Sequence, residues 1–177
     1  RENLFGVDLL EEGVQITRLA LWIRTAERGR TLADLSENVR CGNSLVDDPE
    51  VDARAFDWEA AFPRVFAEGK FDCVLSNPPY VKLQNFRRRE PRVAAFLARR
   101  YRSAQTGNFD MYLPFIERGL ELLKPDGRMG FIAPNIWLYN EYGRGLRELV
   151  AANRSLERFV DFKSHQVFED ATTYTAL

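Results

Sequence analysis

The chain carries little that could hold a metal ion: one histidine, His165, and two cysteines, Cys41 and Cys73, in 177 residues. Neither cysteine stands at the spacing that a zinc site needs. Each falls in a short apolar, strand-like stretch, so both are expected as buried small hydrophobes in a reducing cytoplasm. No apolar run approaches the length of a membrane span, and the first residues are polar and charged rather than a signal sequence. A cytoplasmic location with no membrane partner follows as an expectation. The net charge of −1 argues against a protein that coats nucleic acid everywhere, but leaves room for a local basic face. Internal repeats and low-complexity segments are absent. With 45% hydrophobic and 29% charged residues, what is left is a globular chain long enough for one core. It begins at Arg1 rather than methionine and ends at Leu177 inside a strand-like pattern, so it is expected to be a piece of a longer protein.

What is present centres on Phe71-Asp72-Cys73-Val74-Leu75-Ser76-Asn77-Pro78-Pro79-Tyr80. Phe71 to Leu75 is a short apolar run broken by Asp72, compatible with a buried parallel strand. Pro78 and Pro79 cannot donate to a ladder and must end it. Pro78 also drives Asn77 towards an extended backbone. An amide and an aromatic ring are thereby presented at the carboxyl end of a strand, where open α/β sheets bind ligands. That corner suits the activation of a planar amine, whose nitrogen lone pair is delocalised. The Asn77 side-chain oxygen accepts one N–H and the Pro78 carbonyl the other. Two acceptors favour a pyramidal nitrogen whose lone pair faces an electrophile. Tyr80 supplies a flat face for stacking on an aromatic ring. The competing reading is a plain surface turn; the strand before it and the aromatic after it favour function.

Ahead of this corner, Asn3 to Leu9 reads as a first strand with Asp8 at its end. An acid there suits a ribose diol, or simply a helix N-terminus. Val14, Ile16, Leu19, Ala20, Leu21 and Ile23 then form an apolar helical stripe ending near Gly29. A second short strand leads to Cys41-Gly42-Asn43-Ser44-Leu45. Asn43 stands either to meet a purine edge or as an ordinary turn asparagine. Ala55 to Ala67 is helical with a break expected at Pro63.

After the corner comes a basic stretch: Lys82, Arg87, Arg88, Arg89, Arg92, Arg99, Arg100 and Arg102, interleaved with Phe86, Phe96 and Tyr101. It suits phosphate contacts and stacking, or else a solvated helix face. Asn108 to Leu123 is an amphipathic helix capped by Asn108 or Asp110, and Lys124-Pro125-Asp126-Gly127 is a strong turn. Strands are expected over Arg128–Pro134, Leu156–Phe162 and from Thr172, and a helix over Asn140–Ala152. The Gly143-Arg144-Gly145 within that helix does not follow a strand directly and is not read as a phosphate loop. The alternation argues for a parallel α/β sheet with a late antiparallel strand.

These residues resemble the N6-adenine DNA methyltransferases, and among them the restriction–modification enzymes that fuse cleavage and methylation in one chain. The resemblance covers nearly all of the chain and is most specific over Phe71 to Val81, where Asn77-Pro78-Pro79-Tyr80 matches the family's catalytic motif. It implies a Rossmann-like sheet and S-adenosyl-L-methionine as methyl donor. Phe5-Gly6-Val7-Asp8 looks like the second motif and makes Asp8 the ribose acid. Cys41 to Leu45 resembles the third, placing Asn43 and Ser44 against the cofactor adenine; the family commonly has Asp at position 43. Asp110 to Phe115 resembles the fifth motif, lining the cofactor pocket together with Asn77. Val167-Phe168 resembles the eighth, so that Tyr80 and Phe168 sandwich a target adenine flipped out of double-stranded DNA. Lys82, Arg87, Arg88, Arg89 and Arg92 would then meet its backbone. Cytosine C5 chemistry does not fit, because neither cysteine follows a proline.

The family's first motif, a glycine-rich loop after the first strand, is absent from these residues. The chain is therefore expected to be a partial catalytic domain, running from the second motif to the eighth with the first strand missing. It is expected to bind cofactor weakly, to leave an apolar groove open to self-association, and to be inactive by itself. Methylation of a protein glutamine or of an RNA adenine, and an inactive DNA-binding fragment, are the competing functions.

Overall fold

The structure is a computed structural model that describes residues 3–26, 34–106 and 109–162 and the backbone of 175–176. It divides into two compact units, Arg1–Ala61 and Phe62–Leu177. In the first, β1 (Gly6–Asp8) runs parallel to β2 (Val39–Cys41), with Asp8 opposite Cys41. The connection contains α1 (Glu11–Thr25), which opens on Glu11 and Glu12 as the helix dipole favours. A short helix, α2 (Trp58–Ala61), closes the unit.

The first strand is shorter than expected, and the α1 stripe is not a buried face. Val14 is enclosed, but Ile16, Leu19 and Ile23 are 68%, 53% and 70% exposed. Two three-residue strands offer a narrow apolar strip, enough to cover one turn of helix. A polar tie completes the docking: the Arg18 guanidinium donates to the carbonyls of Ser36 and Val39, each at 3.1 Å. The core of this unit is Val14, Leu35, Val39, Leu45, Val46 and Phe56. Gly42 lets it close, since a Cβ there would lie 2.7 Å from the Phe56 ring.

The second unit begins with α3 (Pro63–Ala67), separated from the preceding helix at Phe62 as Pro63 demands. It then holds β3 (Phe71–Ser76), α4 (Leu83–Arg89), α5 (Pro91–Arg100), α6 (Tyr112–Leu122), β4 (Leu123–Phe131), β5 (Ala133–Pro134), α7 (Arg144–Asn153) and β6 (Thr175–Ala176). Single 3-10 turns lie at Arg102–Ala104, Asn135–Leu138 and Glu141–Gly143. β3 pairs parallel with β4, and β5 antiparallel with β6, which supplies the late antiparallel strand. Lys124-Pro125-Asp126-Gly127 lies within β4 as a bulge rather than between elements. Phe71 faces Leu123 and Cys73 faces Arg128, with Asp126 at φ +64°. The turn residues keep their local geometry, and the strands pair around them. Leu156–Phe162, by contrast, forms no strand, and Leu156 and Val160 are exposed.

α6 covers one face of β3–β4: a Cβ on its Gly119 would lie 2.9 Å from Met129 Sδ and 3.0 Å from the Phe131 ring. Alternation along β3 turns Cys73 and Leu75 to the other face, where Leu75 is 78% exposed. Cys73 is therefore exposed, not buried, and so is Cys41 in the last pair of β1–β2. In both cases the sheet is two strands wide among the described residues, too narrow to enclose both faces.

The helices pack more tightly. α5 buries Val93, Ala94, Phe96 and Leu97 on one stripe. The buried Glu117 of α6 accepts the backbone N–H groups of Arg102 and Ser103 at 3.1 and 2.7 Å, capping that 3-10 turn. The expected helix over Asn140–Ala152 is the Glu141–Gly143 turn continued by α7. Its glycines have a packing reason. A Cβ on Gly143 would fall 1.9 Å from the Trp137 carbonyl oxygen, and one on Gly145 2.3 Å from that of Arg102. Both neighbours are backbone and cannot swing aside. Gly143→Ala is expected to destabilise the chain by about 1–3 kcal/mol, the usual cost of overpacking. Equilibrium urea unfolding measures it, and an unchanged midpoint would contradict this packing account.

Candidate active site

β3 stops at Ser76 because Pro78 and Pro79 carry no N–H to continue the ladder. Beyond the stop Asn77 is exposed, Pro78 buried and Tyr80 half-buried. The Tyr80 hydroxyl lies 2.9 Å from Asn77 Oδ1 and 3.1 Å from the Ile132 carbonyl oxygen, just past β4. Burial pushes the Tyr80 phenol above its ordinary value, so it stays a neutral donor at physiological pH. Asn77 does not point into the interior, and Tyr80 bonds directly to it.

The next residues run antiparallel to the segment leading into α6. Lys82 bridges Asp110, the Met111 N–H donates to the Val81 carbonyl at 2.9 Å, and the Leu83 N–H to that of Phe109 at 3.2 Å. Asp110 is thereby brought beside the corner. It does not cap α6: Met111 holds that position without a side-chain cap, and Asn108 lies outside the described residues. The Asp110 carboxylate instead accepts the Tyr142 hydroxyl at 3.3 Å. Burial raises the Asp110 carboxyl above its usual range, partly offset by Tyr142 and Lys82. Tyr142 was not singled out from sequence, where it sits among polar residues with no pattern to mark it.

Lys82, Arg87, Arg88, Arg89 and Arg92 are exposed along and beyond α4. Two of the three interleaved aromatics are not a stacking surface; Phe86 is half-buried. Phe96 within α5 and Tyr101 just past it are buried in the core. Arg100 and Arg118 hold their guanidinium carbons 5.0 and 5.5 Å from the Tyr101 ring centre, and Arg100 donates twice to Glu121 at 2.9 Å. Arg102 pairs with Glu148 at 2.7 Å. The more C-terminal arginines thus serve packing, while Arg87, Arg88 and Arg89 make no ion pair among the described residues.

In the first unit, Asp8 ends β1 with its carboxylate exposed. Oδ1 accepts the Leu10 N–H at 2.8 Å, and the carboxylate sits where a Cβ on Gly13 would be, 2.8 Å away. The Gly42 N–H donates to the Asp8 carbonyl at 2.8 Å, which sets the Gly42-Asn43-Ser44 turn beside that strand end. The Asn43 amide is half committed: Oδ1 accepts the Leu45 N–H at 3.1 Å, and Nδ2 donates to Asp52 Oδ2 at 2.8 Å. Ser44 accepts the Trp58 indole N–H on its carbonyl at 3.0 Å. Arg54 grips Asp52 with two bonds of 3.0 and 3.1 Å. No sequence pattern marks Asp52, and its burial is visible only once the chain around it is folded.

Phe168, with Val167, lies outside the described residues. A groove of about 1070 Å³ along the β4 bulge and α7 is lined by none of the candidate site residues named from sequence. Among the described residues no cluster of histidine, cysteine or acidic side chains is placed to hold a metal, and no helix is long and apolar enough to cross a membrane.

Residues 2–168 match the model of the Eco57I restriction-modification methylase family, and the chain belongs to that family. It is 34% identical over 146 residues to the type II restriction enzyme and methyltransferase RM.Eco57I of Escherichia coli, an alignment spanning 82% of this chain and 14% of that protein. It is 40% identical over 111 residues to the type II methyltransferase M.XhoI of Xanthomonas vasicola, spanning 60% and 19%. With M.PaeR7I of Pseudomonas aeruginosa the identity is 40% over 114 residues, spanning 62% and 19%. The chain therefore spans less than a fifth of the length of these relatives.

The Asp52 clamp has a pH signature. Burial pushes its carboxyl up, but bonds from Arg54 and Asn43 outweigh burial and hold it below 3.8. The stability it contributes is present above that value and lost as pH falls through the lower folded value. Asp52→Asn is expected to lower Tm by a constant amount at neutral and mildly acidic pH, with the gap to the parent closing below pH 3.8. A gap independent of pH in thermal melts would show that the charge contributes nothing.

Proposed function

We propose that the chain is the catalytic part of a site-specific DNA adenine-N6 methyltransferase of a restriction–modification system, acting on an adenine flipped out of double-stranded DNA. The observation that carries this reading is the exposed Asn77 amide, held by Tyr80 at the proline-stiffened end of the parallel strand β3. The relatives, type II methyltransferases, support it. So does the parallel pairing within each unit, which suits an incomplete Rossmann-like methyltransferase sheet with residues 1–177 as a partial catalytic domain.

The adenine amino group donates one N–H to Asn77 Oδ1 and the other to the Pro78 carbonyl, which favours a pyramidal nitrogen with its lone pair free. Tyr80 stacks on the base, and Phe168 is assigned the opposite face. S-adenosyl-L-methionine supplies a methyl carbon on a sulfonium, electrophilic without further activation. Asp8 suits its ribose: one carboxylate oxygen takes the Leu10 N–H, and the exposed group retains lone pairs for a diol. Asn43 retains one amide hydrogen and one lone pair for a purine edge, with Ser44 beside it, and Asp110 lines the pocket next to Asn77. Lys82, Arg87, Arg88, Arg89 and Arg92 meet DNA phosphates. Positioning and electrostatics carry the transfer, and no ionised base is required before it.

In the full-length protein, Asn77→Ala is expected to cut methyl transfer to an adenine-containing duplex by about 10²–10³-fold, the usual effect of removing one such contact. Undiminished transfer overturns the reading, and preferential labelling of a glutamine peptide or of RNA turns it to those substrates. The 177 residues alone, which lack the glycine-rich loop ahead of Asp8, are expected to bind S-adenosyl-L-methionine weakly or not at all; tight binding in calorimetry contradicts that.

A further inference from the structure

Resting on the amino-methylation reading above, we propose that the Tyr80 hydroxyl is a positioning group that works between two acceptors. It holds the Asn77 amide in the empty site and passes to the Ile132 carbonyl when the target amine arrives. This separates the two halves of Tyr80: the ring meets the base, and the hydroxyl acts through Asn77.

The hydroxyl has one hydrogen and two oxygens within reach, Asn77 Oδ1 at 2.9 Å and Ile132 O at 3.1 Å. It can serve only one of them at a time. Asn77 is exposed, and among the described residues its amide has no other hydrogen-bond partner. Without the phenol, rotation about its side-chain torsions would turn the amide oxygen and nitrogen indiscriminately towards the amine. The nitrogen would present hydrogens where an acceptor is needed. While its hydrogen faces Asn77 the phenol selects the orientation, since only an acceptor can face that hydrogen.

The second acceptor makes the hold reversible. Ile132 follows β4 directly, and its N–H donates to the Ser76 carbonyl at 3.3 Å, so its own carbonyl is fixed relative to the end of β3. When an amine N–H approaches Asn77 Oδ1, rotation of one O–H bond moves the phenol hydrogen to Ile132 O. The full acceptor strength of Asn77 is then released to the amine without any heavy atom moving. Burial of the phenol keeps that hydrogen in place at working pH.

Tyr80→Phe in the full-length protein keeps the stacking ring and removes only the hydroxyl. Single-turnover methyl transfer to a duplex is expected to slow about five- to tenfold, the worth of one neutral hydrogen bond. KM for the duplex, the fluorescence of 2-aminopurine at the target position and Tm are expected to stay unchanged. Tyr80→Ala, by contrast, is expected to lose the fluorescence signal and raise KM as well. An unchanged transfer rate in Tyr80→Phe, or a loss carried wholly by KM, overturns the proposal. If Asn77→Ala abolishes transfer while Tyr80→Phe keeps the full rate, only the hydroxyl's role fails. If Asn77→Ala remains fully active, the amino-methylation reading fails and the proposal fails with it.

Discussion

Two missing N–H groups set the rest of this molecule. A strand ends in most proteins where its partner ends; β3 ends because Pro78 and Pro79 cannot continue donating. The stop is written into covalent structure, so it holds whatever packs around it. It leaves Asn77 exposed just past the strand's end and Pro78 buried. Tyr80 swings back until its hydroxyl reaches Asn77 and the end of β4. The neighbouring segment, residues 109–111, is fixed to the chain just past the corner by backbone bonds alone. The candidate chemistry thus depends on rigid backbone and on one side-chain bond, not on a titrating group.

Much of this was legible in the residues because the signals were local. Proline placement and the helical period of α6 each act within a few residues, and each appears in the structure; the strand β3 appears too, but not its expected burial. The break at Pro63 belongs to the same class, whereas the packing of Gly143 and Gly145 against the Trp137 and Arg102 carbonyls does not. What stayed hidden was non-local. Ile16, Leu19 and Ile23 carry a helical stripe, but period does not say whether anything lies against it. Cys41 and Cys73 sit in strand-like runs, yet a sheet two strands wide among the described residues leaves them exposed. Leu156–Phe162 has strand composition and no partner strand among the described residues.

The site divides in the same way. Asn77, Pro78, Tyr80, Asp8 and Asp110 were marked by strand ends and by a family pattern. Their supports were not. Asp52 and Arg54 hold Asn43, and Tyr142 reaches Asp110 from 32 residues away. Nor did composition separate the arginines that pack from those that face solvent. Phe96 and Tyr101 looked like partners for bases because they alternate with charge, but Phe96 within α5 and Tyr101 just past it are both core.

The bulge in β4 has a mechanical consequence. Pairing resumes at Arg128 opposite Cys73 and continues to Phe131 opposite Ser76, whatever path the chain takes between Leu123 and Arg128. That detour is slack in a strand otherwise held under register. Residues added or removed there lengthen or shorten a surface excursion without sliding Ile132 away from Tyr80. The segment is therefore a natural place for the chain to vary in length, or for a reporter peptide to be spliced in, at little cost to the corner that it feeds.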